Sequence, residues 1–442
     1  MGGGLMQLAA YGAQDVYLTG NPQITFFKVA YRRHTNFSME HIRQAFKGDV
    51  GAGKRVVATL ARNGDLVHDC FLKMNIADIQ ATGNNPGHNV LDYIECEIGG
   101  QKIDKHYGHW MEAHAELTEL PGQGVSVNSL TRNNAGAFGY DDSGWGSVGG
   151  GVPPVQSAFQ LLAAAGGVLA EDPEDYDEED DGEVVAPAPK RPVIAMVPLR
   201  FWFCRHVGLS LPLIALQYHE VNIIVQFANG EGAKKLISTG NNISLWCNYI
   251  YLDTDERRRF AQVSHEYLIE QVQTQSLPPG SGPQTFDLKF NHPVKELIWG
   301  VLGVSDTGES AWGGTGVDDY AGGFVLMYSN DDPPTTIQLK LNGHDRFEKI
   351  EPEYFTRYQI KKYHTGMPMT TNRDCLSVYS FALEPEEHQP SGTCNFSRID
   401  NAQLLIQGAG ITDEVMSAGF IYAINYNVLR IMSGMGGLAY SN

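Results

Sequence analysis

Short apolar runs rich in β-branched and aromatic residues recur along the chain, bounded by clusters of Gly, Asn, Asp and Pro. Such runs predict strands, because branched and flat side chains pack well on a pleated surface and the flanking residues turn the chain cheaply. The first lies at 23–32 (QITFFKVAYR), after Gly20, Asn21 and Pro22. Next come 55–62 (RVVATLAR) and 66–76 (LVHDCFLKMNI), set around Asn63 and Gly64; Asn-Gly between two such runs predicts a hairpin. Further runs lie at 90–98, 193–204, 214–227 and 245–252. At 253 the pattern breaks. Asp253 followed by Glu256 has the spacing of a capped helix start, which predicts a short connecting helix at 254–262. Strand-like runs then resume at 267–273, 284–290, 294–301, 324–328, 336–341, 378–383, 402–407 and 420–431.

The two halves share an ordered set of landmarks. Gly99 and Gly100 lead into a stretch holding Tyr107, Trp110 and Glu112, and Asn342 and Gly343 lead into Glu353, Tyr354 and Phe355. Each half then closes on a strand rich in Tyr and Asn: Asn248, Tyr249 and Tyr251 in one, Tyr422, Asn425 and Tyr426 in the other. The reading is an all-β chain of two tandem eight-stranded antiparallel jelly-roll sandwiches with short helices in loops, produced by duplication. Residues 1–20 would form an N-terminal arm, 21–253 the first jelly roll, 254–264 a linker helix and 265–442 the second jelly roll.

Composition narrows the classes of function. Apolar residues are 42% of the 442 and charged residues 19%, enough to build a core and too few charges for a disordered chain. The net charge of −19 opposes general affinity for nucleic acid or an anionic membrane. Ten acids fall between Glu171 and Glu183 with no Lys or Arg among them; without them the net charge would be −9. They sit in a Gly- and Pro-flanked insertion at about 144–192, read as a solvated loop. The longest nearly apolar run, 158–170, is short of the roughly 20 residues that span a bilayer, and the N-terminus lacks the pattern of a secretory signal. The six cysteines include no CxxC pair and read as buried thiols of a reducing compartment.

The chemical motifs are weak. Gly48 to Arg55 fits GxxxxGK but ends in Arg where Ser or Thr would hold magnesium, and a strand run follows instead of a helix. His106, His109, Glu112, His114 and Glu116 form the densest metal-like cluster, yet no zinc-protease spacing is met. A surface helix or loop with satisfied polar groups is the preferred account, and a cupin-type metal site the alternative if the groups converge inside a barrel. Carboxylate pairs for glycoside hydrolysis leave no local motif to read. No catalytic, cofactor-binding or metal-ligating residue is therefore assigned. Asn36, Asn242 and Asn395 match the N-glycosylation pattern, and Arg257, Arg258 and Arg259 are candidate contacts between halves or between subunits.

Four blocks carry a family resemblance: residues 11–37, from Tyr11-Gly12-Ala13-Gln14-Asp15 to Asn36-Phe37; 198–219 (PLRFWFCRHVGLSLPLIALQYH); 251–262 (YLDTDERRRFAQ); and 395–401 (NFSRIDN). Together the sequence resembles the major capsid proteins of nucleocytoplasmic large DNA viruses over nearly its whole length, and the acidic insertion is where it departs from shorter members. The resemblance implies a double jelly roll, a non-enzymatic homotrimer of pseudo-hexagonal outline that tiles an icosahedral shell, contacts with minor capsid proteins, no cofactor, and a place in the virion after assembly in the host cytoplasm. An inner viral membrane beneath the shell would fit it. A carbohydrate-binding β-sandwich and a cupin-like metal enzyme are the competing classes.

Overall fold

The computed structural model describes residues 3–76, 86–118, 193–229, 243–278, 283–303, 324–325, 335–366, 376–407 and 416–440. The acidic insertion, Asn242, Cys375 and the run at 326–328 lie outside them. The chain divides into two compact units, residues 1–37 and 38–442.

The first unit holds two short helices, Gly3–Ala9 and Val16–Thr19, the second preceded by a turn in which Asp15 Oδ2 accepts from Gly12 N at 2.7 Å. None of its described residues is buried, and Phe26, Phe27 and Tyr31 are exposed. The strand expected at 23–32 does not form. Its unit offers no partner strand, and an extended segment without a ladder leaves its backbone groups to water.

From Phe37 onward the chain forms eight strands: β1 Phe37–Gln44, β2 Arg55–Thr59, β3 Leu66–Ile76, β4 Leu91–Ile98, β5 Gln101–Tyr107, β6 Val193–Pro198, β7 Val221–Phe227 and β8 Ser244–Leu252. They form two sheets, β1-β8-β3-β6 and β2-β7-β4-β5. After the helix Thr254–Gln262 come β9 His265–Leu277, β10 Gln284–Asp287, β11 Pro293–Gly303, β12 Phe324–Val325, β13 Thr336–Leu341, β14 His344–Asp345, β15 Leu376–Ser380, β16 Cys394–Asn395, β17 Ala402–Gln407, β18 Met416–Met432 and β19 Met435–Leu438. Here β10-β17-β13-β14 make one sheet, while β9, β18, β11 and β15 pair successively in the other, which β12, β16 and β19 extend. With those three short strands set aside, both halves have one order. Strands ranked 1-8-3-6 face strands ranked 2-7-4-5, the topology of a jelly roll.

Local chemistry repeats as well. Gly99 and Gly100 (φ 59° and 82°) turn β4 into β5, and Asn342 and Gly343 (φ 50° and 79°) turn β13 into β14. Two consecutive left-handed residues make the hairpin turn that matches strand twist, and Gly and Asn tolerate that region best. A helical segment follows each hairpin, Gly108–Thr118 in one half and 354–363 in the other.

The hairpin expected around Asn63 and Gly64 is absent. β2 pairs with β7, and β3 pairs with β6 and β8, so the connection crosses between sheets. Gly64 lacks a left-handed φ, and a Cβ there would lie 3.0 Å from Tyr249 Cβ. Its role is close approach to β8, a use of glycine that a sequence motif does not separate from a turn. The runs at 193–204 and 214–227 are also shorter strands than expected: β6 stops at Pro198 and β7 starts only at Val221.

Two cores result. The first draws on both sheets of the first sandwich, and Ile298, Val378, Tyr422 and Ile424 of the second half belong to it. The second core holds Leu297, Trp299, Tyr379, Ile421 and Ala423. Neighbouring residues of β11, β15 and β18 thus point alternately into different cores, as the period of two requires. Strands with one solvent face alternate visibly, as Ala402, Leu404 and Ile406 do in β17, whereas β15 is buried at every position. Ile421→Ala and Ile424→Ala should therefore each cost about 2–5 kcal/mol in denaturant unfolding, although they face opposite ways. A cost below about 0.5 kcal/mol for either would mean that its face is solvated.

Candidate functional site: the seam between the sandwiches

The shared sheet brings polar groups of both halves into a buried seam. The helix Gly108–Thr118 is buried from Gly108 to Leu117, so the sequence expectation of a surface helix is corrected: its polar residues face partners inside the protein. His109 Nδ1 is 2.5 Å from the Tyr422 hydroxyl, and the ring stacks on Phe420 at 4.3 Å. Burial lowers the pKa of His109 to about 3, so the imidazole is neutral. Glu112 Oε2 is 2.5 Å from His88 Nδ1, while burial, reinforced by Glu112, holds the Glu116 carboxyl well above the usual range. His114 pairs with the Thr118 hydroxyl at 3.2 Å, and burial followed by nearby cations, Arg205 first, pushes its pKa well down. His106 Nε2 lies 2.7 Å from Asp104 Oδ2. Among the described residues no three His, Cys, Asp or Glu side chains are grouped to hold a metal ion.

Charged contacts cross the seam. Arg205 Nη1 of the first half meets Glu270 Oε2 of β9 at 2.6 Å, and Lys295 Nζ of β11 meets Glu270 Oε1 at 2.7 Å. Lys295 is only 3% exposed and also donates to Pro385 O at 2.6 Å. Asp104 Oδ1 accepts from Val272 N at 3.1 Å, and Gln271 Nε2 donates to Ile103 O. At the C-terminus of the helix, Gly366 N donates to Leu117 O at 2.7 Å and Thr365 Oγ1 to Thr118 O at 3.0 Å. These bonds satisfy carbonyls that a helix end leaves without partners. A Cβ on Gly366 would lie 2.4 Å from Glu116 O, so only glycine fits. Beside it His364 bridges Glu296 Oε2 at 3.2 Å and Glu386 Oε1 at 3.0 Å.

The C-terminal hairpin β18–β19 returns to the first half. Its tip, Ser433 and Gly434, has two left-handed residues, and Gly434 O accepts from Tyr218 N at 3.0 Å. Gly436 N donates to His219 Nδ1 at 3.2 Å. Sequence reasoning missed this clasp, Glu270, Lys295 and His364; the Lys beside the apolar run of β11 was the available signal.

The remaining sequence candidates scatter. Arg257 Nε pairs with buried Asp65 at 2.8 Å, and Asp253 accepts from Thr254 N at 2.8 Å, while Arg258 and Arg259 are exposed. Asn36 is exposed in the first unit, and Asn395 is exposed with its side chain accepting from Ser397 N at 3.1 Å. The GxxxxGK stretch is a loop in which Lys54 faces Asp49 at 3.9 Å and β2 follows.

Two like jelly rolls fused through a shared sheet define a double jelly-roll protein. Comparison with known proteins agrees. The family model for the large eukaryotic DNA virus major capsid protein matches residues 256–437, and that for the major capsid protein N-terminus matches residues 25–253. The major capsid protein of Pyramimonas orientalis virus is 45% identical over 100% of both chains, and that of Paramecium bursaria Chlorella virus 1 is 37% identical over 100% of both. The VP54 crystal structure from PBCV-1 superposes with a TM-score of 0.67 at 31% identity, covering 95% of this chain and 100% of that one. The chain belongs to the major capsid protein family of the large eukaryotic DNA viruses.

Two measurements test the seam. Glu270→Gln leaves buried Lys295 without its counter-charge and should cost about 3–5 kcal/mol, much of it recovered in the Glu270→Gln/Lys295→Met pair. An equal loss in the double variant would mean that the charges do not act together. The second test uses pH. Burial alone would lower the pKa of His364, but the Glu296 and Glu386 carboxylates outweigh it and raise it to about 9, while the same histidine and Thr365 hold Glu386 below its usual value despite burial. The raised histidine contributes its full stability below about pH 6.5 and loses it as pH climbs through 9; the depressed Glu386 contributes above about 4.5 and loses it in acid. Melting temperature should fall between pH 6.5 and 9, and His364→Gln should flatten that limb. An unchanged slope in the variant would remove His364 as its cause.

Proposed function

We propose that this major capsid protein works as a homotrimer whose six similar sandwiches make a pseudo-hexagonal tile of an icosahedral shell, packed edge to edge in the virion. The observation that carries the reading is the identical strand order of the two halves, joined by one buried sheet. Two like units on each of three chains give six like sides, and a stiff joint keeps them at fixed angles. For this role the first jelly roll spans 21–253, the helix at 254–264 links it to the second at 265–442, and residues 1–20 act as an arm. The coreless first unit, with exposed aromatic residues, suits contacts with other copies or with minor capsid proteins. The acidic insertion at 144–192 belongs on the outer face, where charge would not obstruct packing. Assembly takes place in the host cytoplasm, and the tile has no catalytic duty, no cofactor and no direct hold on nucleic acid.

The cupin-like reading would need a metal cluster, and none of three or more His, Cys, Asp or Glu side chains is found among the described residues. Light scattering on the purified chain should give three times 48.6 kDa, with hexagonal outlines in negative stain. A stable monomer carrying stoichiometric metal would overturn the proposal.

A further inference from the structure

Three thiols from distant stretches of chain meet inside the first sandwich. Cys70 on β3 and Cys247 on β8 are directly opposed in antiparallel register, and both are fully buried. Cys204, half-buried in the short helix Trp202–Arg205, packs against the same core. The Cys70 thiol interacts electrostatically with the thiols of both Cys204 and Cys247. The segment carrying Cys204 is tied down on both sides of Cys70: Leu199 N donates to Cys70 O at 2.8 Å, and His68 Nδ1 donates to Phe203 O at 2.6 Å. All three cysteines are reduced.

The spacing suits covalent closure. Opposed residues of an antiparallel pair have Cα atoms about 4.5 or 5.5 Å apart, and both values fall inside the disulfide range of about 4.4–6.8 Å. Their Cβ atoms, about 4.5–5.5 Å apart, stand at the upper edge of what a disulfide takes, so closure asks for a small approach. The register shift between Val67 and Cys70 gives β3 local slack to make it.

We propose that Cys70, Cys204 and Cys247 form a latent oxidation site, in which Cys204 takes up the oxidant, Cys70 resolves it into a disulfide, and Cys247 receives that disulfide by exchange. With a small disulfide such as oxidised glutathione, the Cys204 thiolate attacks one glutathione sulfur, forms a mixed disulfide and releases one glutathione. The Cys70 thiolate then attacks Cys204 Sγ, the mixed disulfide breaks and the second glutathione leaves. Two protein thiols have become one disulfide, and their two electrons and two protons are carried off by the two glutathiones. In the exchange Cys247 attacks Cys70 Sγ and Cys204 leaves as a thiol, with no net electron transfer. The order follows access. Cys204 alone of the three is partly exposed, and burial first, then the neighbouring thiols, pushes the Cys70 thiol well up, which makes it a poor first nucleophile. The product ties β3 to β8, the central pair of their sheet, and would harden the sandwich once the protein meets an oxidising medium.

The test incubates the full-length folded chain with oxidised glutathione, quenches with acid, alkylates in denaturant and maps non-reduced peptides by mass spectrometry. Expected is a Cys70–Cys247 or Cys70–Cys204 peptide with Cys96 left alkylated. Cys204→Ala should slow the Cys70–Cys247 linkage at least about tenfold, because the entry thiol is gone. Mapping of the wild-type chain needs no variant to fold. Cys70 and Cys247 both remaining alkylatable under an oxidant that fully oxidises free dithiothreitol would overturn the proposal. So would a linkage that leaves out Cys70, such as Cys96–Cys204, or one that forms only in the urea-unfolded chain.

Discussion

A sheet packed on both faces leaves its strands no polar side, and β11, β15 and β18 meet that condition by sending alternate residues into different cores. The consequence reaches through the fold. The first core is not completed by its own half, because Ile298, Tyr422 and Ile424 of the second half fill it, while their neighbours Leu297, Ile421 and Ala423 fill the second. Two domains joined by a linker ordinarily meet over a modest, rather polar area and move against each other. Here the joint is core. Relative motion would open apolar surface at about 25 cal/mol per Å², so the two sandwiches behave as one body.

Burial of that extent makes a charged group without a partner costly. Glu270 answers to two cations, His364 to two carboxylates, and the carbonyls at the end of the Gly108–Thr118 helix to Thr365 and Gly366. Such pairs add little net stability over an apolar filling, since desolvation consumes most of the Coulomb gain. Their value is directional. A mispaired arrangement would strand a buried charge, which costs far more than a lost methyl contact.

Much of this was legible in the residues, and what was not has physical reasons. The strand runs, the helix capped by Asp253 and the paired Gly99-Gly100 and Asn342-Gly343 turns could be read because each depends on local chemistry. The Asn63-Gly64 hairpin misled because glycine serves both a left-handed turn and a close approach, and only the packing of Tyr249 tells them apart. The histidines and acids of the Gly108–Thr118 helix looked solvent-facing for a related reason. A buried helix is expected to be apolar all round, and this one substitutes partners more than a hundred residues away, such as Tyr422, for water. Glu270 and Lys295 left only the faint sign of a charge beside apolar strand residues, and His364, at the end of a short helix, left none, since their meaning depends on which elements become neighbours.

A strand buried on both faces raises a problem of register. In a half-exposed strand a slip of one residue turns the apolar face to water and is rejected at once. In β18 the same slip only exchanges one core for the other, so hydrophobicity alone does not forbid it. Size and direction must. Tyr422 and Ala423 differ greatly in volume, and neither core could accept the other's residue without a clash or a void. Polar contacts add direction: Tyr422 to His109, Asn425 to Gln273 at 3.0 Å, and Asn427 to Gln271 at 2.9 Å. The first half solves the same problem with Tyr249 of β8, whose hydroxyl donates to Ala61 O at 2.7 Å. The closing strands of both halves are rich in Tyr and Asn because a double-faced strand, lacking the contrast of water against core, takes its register from side chains that carry both bulk and a hydrogen bond.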